Sequence, residues 1–367
     1  MAERHDGARS GTERPARTTL TRVPPPTLRD VAKQAGVHPA TASRALNPVT
    51  RSLVNEDTAT RVIKVAQALG YQPNPIARSL RTARSATIGL VMPDLTNPLF
   101  PPIVRGIEDV LGPAGYSAWI VNTDNDPARE RSQIESLRSR QVEGLLVGTA
   151  LLTHPLIEEL HDEGVRIVLI NRRLLHGEVP SVAPDDASGI AMAVSHLVGL
   201  GHRRIAHLAG PQQTSTGVIR HQSYRQALRD NGLDDDPALV STAPYWREEE
   251  GARALRALLD AGVDFTAVLA GNDLLALGCY DVFEERGISC PEDLSVMGFN
   301  DIPFMDKMRP PLTTVRVPHY EVGAEAARML LDMLQDPDVG SRSVLLPLTL
   351  MERQSTGRVP ARVTPPR

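Results

Sequence analysis

The amino-acid sequence predicts a small all-α domain near the N-terminus, followed by an α/β core of two lobes built on parallel, doubly wound sheets. Apolar residues between positions 27 and 69 recur at helical spacing. From position 86 onward, short and nearly continuous apolar segments alternate with amphipathic segments, which is typical of parallel sheets covered on both faces. Because a chain of 367 residues is too long for one core, these β–α repeats indicate two lobes.

Charge is distributed unevenly along the chain. Residues 27–85 carry nine Lys or Arg against three acidic residues, a net charge of +6, and residues 1–26 add +2. Since the whole chain has a net charge of −4, the remainder carries −12. A basic N-terminal segment followed by an acidic remainder is typical of a protein whose N-terminal part binds a polyanion.

The composition narrows the protein class further. The sequence contains no apolar run near 18 residues, and its N-terminus lacks the apolar segment of a secretory signal. Its two cysteines, Cys279 and Cys290, are too few for a disulfide framework. We therefore expect no membrane span and a cytoplasmic location. Residues 1–26 mix Arg, Gly, Thr and Pro without periodicity and are expected to be disordered.

The stretch 27–47 predicts two short helices joined by a tight turn. Thr27 and Asp30 fit a capping box at the start of the first helix, and Gly36 fits its end. Pro39 fits the first position of the second helix, where its missing N–H is tolerated. The apolar stripe of the first helix is Leu28, Val31, Ala32 and Ala35, and the outward positions of the second are Thr41, Ser43, Arg44 and Asn47. Such a pair is typical of the DNA-binding helix-turn-helix, and an ordinary helical hairpin is the alternative.

A third helix and a short linker follow. Asn55 fits the cap of a helix that closes at Gly70, and its apolar stripe is Val62, Val65, Ala66 and Leu69. Proline at positions 73 and 75 then breaks the helix. In the segment 76–81, Leu80 lies among arginines, so it could enter a DNA minor groove as an apolar wedge. A plain interdomain linker is the alternative.

Polar residues stand directly after the predicted strands of the core. Ligands of open α/β sheets bind at the carboxyl ends of the strands. The residues at these ends include Asp94, Asn97, Asn122, Asp124, Asn171, Arg172, Arg173, Asn272, Asp273, Asn300 and Asp301. Arg220 adds a bidentate donor and Trp246 a stacking face, a combination suited to a sugar. Helix caps and turns are the alternative for each Asn or Asp taken singly.

Motifs of catalysis are absent from the sequence. It contains no GxGxxG after the first strand, no P-loop, no GxSxG and no HExxH. His196, His202 and His207 do not have the spacing of metal ligands, and Glu248 to Glu250 fit the acidic first turn of a helix. We therefore expect a protein that is not an enzyme and has no cofactor and no metal site.

Several motifs occur together in one order: TLRDVAKQAGV, TASRALN, LGYQPNPIARSLR, IGLVMPDLTNPLF, LVGLGHRRIAHLAGP, LAGNDLLALG, SVMGFND and PPLTTV. With them the chain resembles the lactose-repressor/galactose-repressor family of bacterial transcription regulators, from about residue 27 to residue 357. The resemblance implies a core like that of periplasmic sugar-binding proteins and a repressor controlled by a small-molecule effector, commonly a sugar. A purine-type corepressor and a solute-binding protein without a regulatory role are the alternatives. It also implies a homodimer, or a tetramer of two dimers, on a pseudo-palindromic operator of double-stranded DNA.

The resemblance also implies the domain boundaries. It gives a disordered tail at 1–26, a helix-turn-helix domain at 27–72, a hinge helix at 73–85, an effector-binding and dimerisation core at 86–357, and a disordered tail at 358–367. The expected N-terminal lobe of the core is 86–184 with 315–338, and the expected C-terminal lobe is 185–312 with 340–355.

Residues of both binding sites are implied in the same way. The implied DNA contacts are Thr27, Leu28, His38, Pro39, Ala40, Thr41, Ser43, Arg44, Asn47, Asn55, Asn74, Ala77, Arg78, Leu80 and Arg81. The implied effector contacts are Asn97, Phe100, Asn171, Arg172, Arg220, Trp246, Asn272, Asp273, Phe299 and Asn300.

This chain departs from the family pattern at several of these positions. His38 replaces the usual capping serine, so the cap must come from imidazole or water. Pro39 and Ala40 offer only apolar contacts, which makes Arg44 the main candidate for a base contact, to guanine. Asn171 and Asn300 stand where aspartate is common.

Overall fold

The computed structural model describes residues 26–47, 50–72, 84–176, 178–336 and 338–359. Its contacts divide the chain into two compact units, Met1–Arg81 and Thr82–Arg367, and each is described by itself. The predicted hinge residues Asn74, Ala77, Arg78, Leu80 and Arg81 lie outside the described residues, as do the tails at 1–25 and 360–367. Their predicted roles therefore stay predictions.

The N-terminal unit contains three α-helices in its described part. They are α1 (Leu28–Ala35), α2 (Pro39–Leu46) and α3 (Glu56–Leu69), with a 3-10 turn at Arg51–Leu53. The buried core of this unit is Val31, Ala32, Ala35, Ala42, Ala45, Ala59, Val62 and Ala66. Six of these eight residues are alanine, so the helices pack closely around a small core, as the sequence predicts.

Side-chain caps fix the ends of these helices. The Thr27 hydroxyl accepts a hydrogen bond from the Asp30 N–H, and the Asp30 carboxylate accepts one from the Thr27 N–H at 2.8 Å, which confirms the capping box. These donors lower the pKa of Asp30. Gly36 closes α1 at φ 65°, a left-handed conformation that suits glycine. Arg61 Nε donates to the Ala35 carbonyl at 3.0 Å and ties α3 to the end of α1.

The larger unit consists of two α/β lobes. The first lobe contains β1 (Thr87–Met92), α4 (Phe100–Leu111), β2 (Ser117–Asn122), α5 (Pro127–Ser139), β3 (Gly144–Val147), α6 (Pro155–Asp162), β4 (Ile167–Ile170) and β5 (Ser181–Pro184). The second lobe contains α7 (Asp186–Gly199), β6 (Ile205–Ala209), α8 (Ser215–Asp230), β7 (Val240–Thr242), α9 (Glu248–Asp260), β8 (Ala267–Ala270), α10 (Asp273–Arg286), β9 (Ser295–Asn300) and β10 (Thr313–Arg316). The remaining elements are α11 (His319–Gln335), β11 (Ser343–Leu346) and β12 (Thr349–Met351).

Each lobe has a six-stranded sheet, and both sheets follow the same plan. The first has the order β11-β5-β4-β3-β1-β2, with every pairing parallel. The second has the order β12-β10-β9-β8-β6-β7, parallel except for the antiparallel pair β10–β12. In each sheet the strand order reverses at the first strand, which creates a crevice at the carboxyl ends of the strands. The predicted parallel, doubly wound lobes are confirmed.

The expected lobe boundaries are wrong at two places. Strand β11 pairs in parallel with β5, so Ser343–Leu346 belongs to the first lobe and not to the second. Strand β10 pairs with β9, so the second lobe continues to Arg316. The chain therefore crosses between the lobes three times, after β5, after β10 and after β11. Hydrogen bonding to a sheet edge decides these memberships, and the apolar pattern does not encode it.

Glycine pairs allow close helix crossings in both lobes. A Cβ at Gly106 would overlap the Tyr320 carbonyl, and a Cβ at Gly323 would overlap the Ile103 carbonyl, where α4 crosses α11. In the second lobe, Gly251 and Gly278 play the same part between α9 and α10. These crossings bury the helix faces that cover the sheets.

Two of the buried histidines in this unit have strongly lowered pKa values. Burial lowers the pKa of His207 to about 3 and that of His319 to about 4. In the unfolded chain the imidazole pKa is about 6.5. Between the folded and the unfolded pKa values, the unfolded chain therefore binds more protons than the folded chain. The histidines therefore contribute stability above pH 6.5, and this contribution is lost as the pH falls.

We expect the free energy of unfolding to fall by about 2 kcal/mol for each of these imidazoles between pH 7.5 and pH 5. Urea denaturation at the two pH values measures the change. The His207 ring Nδ1 donates to the Leu269 carbonyl at 2.8 Å, and glutamine can replace this donor. His207→Gln should therefore lose about half of the pH dependence assigned to the pair. A variant with the same pH dependence as the parent protein would contradict the assignment.

In the part of the chain that the structure describes, none of the helices is both long enough and apolar enough to cross a membrane.

Candidate functional site

Helix α2 presents the predicted DNA-reading face, and its first turn is capped by imidazole. The His38 ring Nδ1 accepts a hydrogen bond from the Ala40 N–H at 3.2 Å. The sequence leaves imidazole or water as the cap of this helix, and in the structure the cap is the imidazole. Pro39 occupies the first helical position, as predicted.

The predicted DNA contacts of this domain differ in exposure. Thr27, His38, Ala40, Arg44 and Asn55 are exposed, and Leu28, Pro39, Thr41, Ser43 and Asn47 are half-buried. Leu28 packs against the alanine core, which gives it a structural role. Thr27 and Asn55 also cap helices, since the Asn55 side chain accepts from the Asp57 N–H at 3.0 Å. Arg44 is the exposed cation of α2.

The larger unit contains a cleft between its two lobes, at the carboxyl ends of both sheets. The cavity has a volume of about 300 Å³. Its first-lobe wall is formed by Pro93, Asp94, Asn97, Leu99, Phe100, Thr123, Asn125, Pro127, Glu130, Thr149, Leu151, Asn171 and Arg172. Its second-lobe wall is formed by Pro211, Gln213, Thr214, Thr216, Arg220, Pro244, Tyr245, Trp246, Arg247, Asn272 and Asn300.

Eight of the ten predicted effector contacts line this cavity, namely Asn97, Phe100, Asn171, Arg172, Arg220, Trp246, Asn272 and Asn300. Asp273 does not line it. Its carboxylate is fully buried and accepts hydrogen bonds from the Thr314 hydroxyl at 2.6 Å and the Ile302 N–H at 2.8 Å. Burial raises the pKa of Asp273 to about 6, against the effect of these donors. Its role is therefore to join α10 to β10.

Phe299 does not line the cavity either. It is fully buried in strand β9, and its ring centroid lies 3.9 Å from the guanidinium carbon of Arg220. The ring therefore supports Arg220 from behind. Alternation along the strand explains the difference, because Phe299 and Asn300 point to opposite faces.

Arg220 is held by partners in three segments. Its Nε donates to Asp186 Oδ1 at 2.8 Å, its Nη1 to the Gly271 carbonyl at 2.7 Å, and its Nη2 to Asn300 Oδ1 at 3.4 Å. Only 2% of Arg220 and 4% of Asp186 are exposed. Burial raises the pKa of Asp186, and the charge of Arg220 opposes that rise. This buried ion pair fixes the guanidinium at the cavity wall.

Trp246 forms an aromatic platform on the second-lobe wall. Its ring lies against the backbone of Gly210, where a Cβ would overlap it, and near Gly271. The guanidinium carbon of Arg220 is 5.7 Å from the ring centroid. The absence of side chains at these glycines leaves room for the indole at the cavity wall.

The first-lobe wall holds buried polar atoms without a hydrogen-bond partner within the described residues. They are Thr123 Oγ1, Asn171 Oδ1 and Arg172 Nε. All three side chains are more than nine-tenths buried and line the cavity. Burial lowers the pKa of Arg172 to about 10, and the charge of Glu130 opposes this shift. Unpaired buried polar groups cost free energy.

Glu130, Thr149 and His154 form a cluster beside this wall that the sequence reasoning missed. His154 Nε2 lies 3.1 Å from Glu130 Oε2, and the Thr149 hydroxyl donates to Glu130 Oε1. Glu130 lies in the first turn of α5, where an acid is expected on electrostatic grounds alone. Only the rotation of α5 against its sheet places it at the cleft.

Asp301 follows Asn300 but lies outside the cavity lining. It accepts hydrogen bonds from Arg316 Nε and from Arg353 Nη2, both at 2.7 Å. Asn300 and Asp301 have φ values of 120° and 55°. This backbone conformation is rare for non-glycine residues. It directs the Asn300 side chain into the cleft and the Asp301 side chain toward Arg316 and Arg353.

Among the described residues, His, Cys, Asp and Glu side chains do not form a group of three that could hold a metal ion.

Comparison with known proteins follows the same division of the chain. A family model of bacterial regulatory proteins, lacI family, matches residues 27–74, and a model of periplasmic binding protein-like domains matches residues 194–356. The HTH-type transcriptional repressor CytR of Escherichia coli K12 is 37% identical over 336 residues, which are 91% of this chain and 97% of that protein.

Solved structures show the same similarity. The transcriptional regulator CelR in complex with cellobiose has a TM-score of 0.70 and 32% identity, over 90% of this chain and 99% of that chain. The lac repressor dimer bound to operator and the anti-inducer ONPF has a TM-score of 0.80 and 26% identity, over 91% of this chain and 99% of that chain. The helix-turn-helix unit, the two-lobed core and these relatives show that the chain belongs to the lacI family of bacterial regulatory proteins.

Proposed function

We propose that this protein is a transcriptional repressor whose operator affinity is changed by a neutral, hydroxyl-rich small molecule, a sugar or glycoside, bound in the cleft. The observation that carries the proposal is the set of buried, unpartnered polar atoms on the first-lobe wall. Arg172 Nε is a donor, Asn171 Oδ1 is an acceptor, and the Thr123 hydroxyl can be either. Neighbouring hydroxyl groups on a sugar ring supply both senses.

The second-lobe wall supports the same ligand class. Trp246 offers an apolar face for one side of a sugar ring, while Arg220 is fixed beside it. A cavity of about 300 Å³ has the size of a small-ligand site. The complex of CelR with cellobiose shows that a relative binds a sugar.

The N-terminal unit supports operator binding. Its described residues form the three-helix arrangement in which α2 would lie in the major groove, with Arg44 as the base-reading side chain. We propose a homodimer on a pseudo-palindromic site, by analogy with the operator-bound lac repressor dimer. Leu80 of each hinge would wedge into the minor groove, and the protein would act in the cytoplasm.

Effector control requires that the ligand favour one arrangement of the lobes over another. A ligand that contacts both walls of the cleft meets this requirement, because its contacts change when the lobes rotate. The arrangement it favours must alter how the dimer presents its two hinges to DNA.

Intrinsic fluorescence provides a direct test. The chain has two tryptophans, Trp119 on the half-exposed strand β2 and Trp246 in the cleft. In a Trp119→Phe variant, emission therefore reports on the cleft alone. We expect neutral sugars or glycosides from a screening panel to change the emission of Trp246 with saturation.

The same ligands should change the affinity for operator DNA selected from a random pool on the full-length protein, as measured by fluorescence anisotropy. Saturation by a nucleobase but by no sugar would favour the purine-type corepressor instead. A ligand that saturates the cleft without any change in operator affinity would contradict effector control.

A further inference from the structure

We propose that Glu130 makes the cleft select neutral ligands over anionic ones. The inference rests on the proposed function and deepens it by assigning a residue that discriminates among effectors. Glu130 lines the cavity, and only 6% of it is exposed. It therefore places a buried carboxylate at the cavity wall, where water screens its charge less than at an exposed position.

Two side chains hydrogen-bond to this carboxylate. His154 Nδ1 accepts from the Leu151 N–H at 3.3 Å, so a ring proton lies on Nε2, which donates to Glu130 Oε2. The Thr149 hydroxyl donates to the other oxygen. The N-terminus of α5 adds a favourable dipole. Both oxygens of the Glu130 carboxylate are therefore hydrogen-bonded, which fixes its position at the cleft wall.

The buried charges of the cleft are balanced before a ligand enters. Arg220 is paired with Asp186, and the charge of Arg172 is opposed by that of Glu130. Asp94 and Arg247, which also line the cavity, are more exposed and of opposite sign. A hydroxyl group can bind Arg172 without disturbing this balance. A carboxylate or phosphate at the same place would add a negative charge next to Glu130.

Replacing Glu130 with glutamine tests the inference, because glutamine keeps the shape and removes the charge. The cleft then gains one unopposed positive charge at Arg172. We expect Glu130→Gln to bind inorganic phosphate on the order of tenfold more tightly than the parent protein. Titration is followed by Trp246 emission in the Trp119→Phe background, so that phosphate bound at the basic N-terminal unit is not scored.

Three matched variants separate charge from other effects. Glu135→Gln removes an equal charge from the exposed face of the same helix and should behave as the parent protein. Glu130→Asp keeps the charge and should keep the discrimination. The double variant Glu130→Gln/Arg172→Gln should lose the gained phosphate binding, because the cation is gone.

Paired ligands test the parent protein without any change at Glu130. The pairs are ribose with ribose 5-phosphate, glucose with glucuronate, and galactose with galacturonate. We expect the neutral member of at least one pair to bind roughly tenfold or more tightly than its acidic partner. Equal binding of the two members of a pair, or no gain of phosphate binding in Glu130→Gln, overturns the role of Glu130 and leaves the proposed function in place. Binding of the acids alone overturns both. If none of the six binds, the phosphate titration of Glu130→Gln decides the role of Glu130.

Discussion

Replacing Arg220 with alanine is expected to abolish ligand binding in the cleft and to lower the free energy of unfolding by about 3–5 kcal/mol. The large stability effect arises because Asp186 would remain buried without its partner. The Gly271 carbonyl and Asn300 Oδ1 would lose their donor at the same time. Chemical denaturation measures the stability, and Trp246 emission with a neutral sugar measures the binding.

Two controls separate stability from binding. Asp186→Asn combined with Arg220→Gln removes both charges, so it should recover much of the stability while binding stays weak. Arg225→Ala, on the same helix, breaks an exposed pair with Asp235 and should cost no more than about 1 kcal/mol. If Arg220→Ala lost less stability than Arg225→Ala and still bound its ligand, the role of the buried pair would be wrong.

This expectation differs from the one that the sequence supports. From the sequence, Arg220 is a bidentate donor for a ligand, without a protein partner of its own. In the structure, its Nε and both terminal nitrogens already donate to protein acceptors. Asp186 stands 34 positions earlier in the chain, in the first turn of α7. Acidic residues are common there because they interact favourably with the helix dipole, so the sequence does not indicate a partner for Asp186. A pair of this kind becomes visible only when the helices are placed against each other.

Local patterns predicted much of the fold. The Thr27–Asp30 capping box and the glycine ends of α1 and α3 depend on neighbours within a few residues, and all are found where predicted. The cleft was predicted from strand ends, because parallel strands bring their carboxyl ends to one edge. Asn272 and Asn300 line it for that reason.

The wrong and missing predictions share one physical cause. Asp273 follows Asn272 directly, yet the helix turn that begins there directs its carboxylate to Thr314 instead of the cavity. The position of Glu130 at the cleft depends on how α5 packs on its sheet, and the lobe to which β11 belongs depends on the sheet edge with which it pairs. Each depends on contacts between residues far apart in the chain, which a single sequence does not specify.

Replacing Arg44 with alanine is expected to weaken operator binding by about 10- to 100-fold and to relax the preference at one base pair of each half-site. Helix α2 has the sequence PATASRAL, so Arg44 is its one long hydrogen-bonding side chain. Its side chain is exposed and outside the alanine core, so the fold should survive the change. Anisotropy titrations with the selected operator and its single-base variants, at fixed salt, measure both effects.

Lys64→Ala is the matched control, since it removes an equal charge from the exposed face of α3. It should weaken binding to all sequences alike, if at all, because a phosphate contact carries no base preference. If Arg44→Ala weakened binding equally for every base variant, Arg44 would be a phosphate contact. Sequence reading would then have to come from the apolar start of α2 and from the deformation of DNA at the hinge, because Pro39 and Ala40 have no side-chain donors.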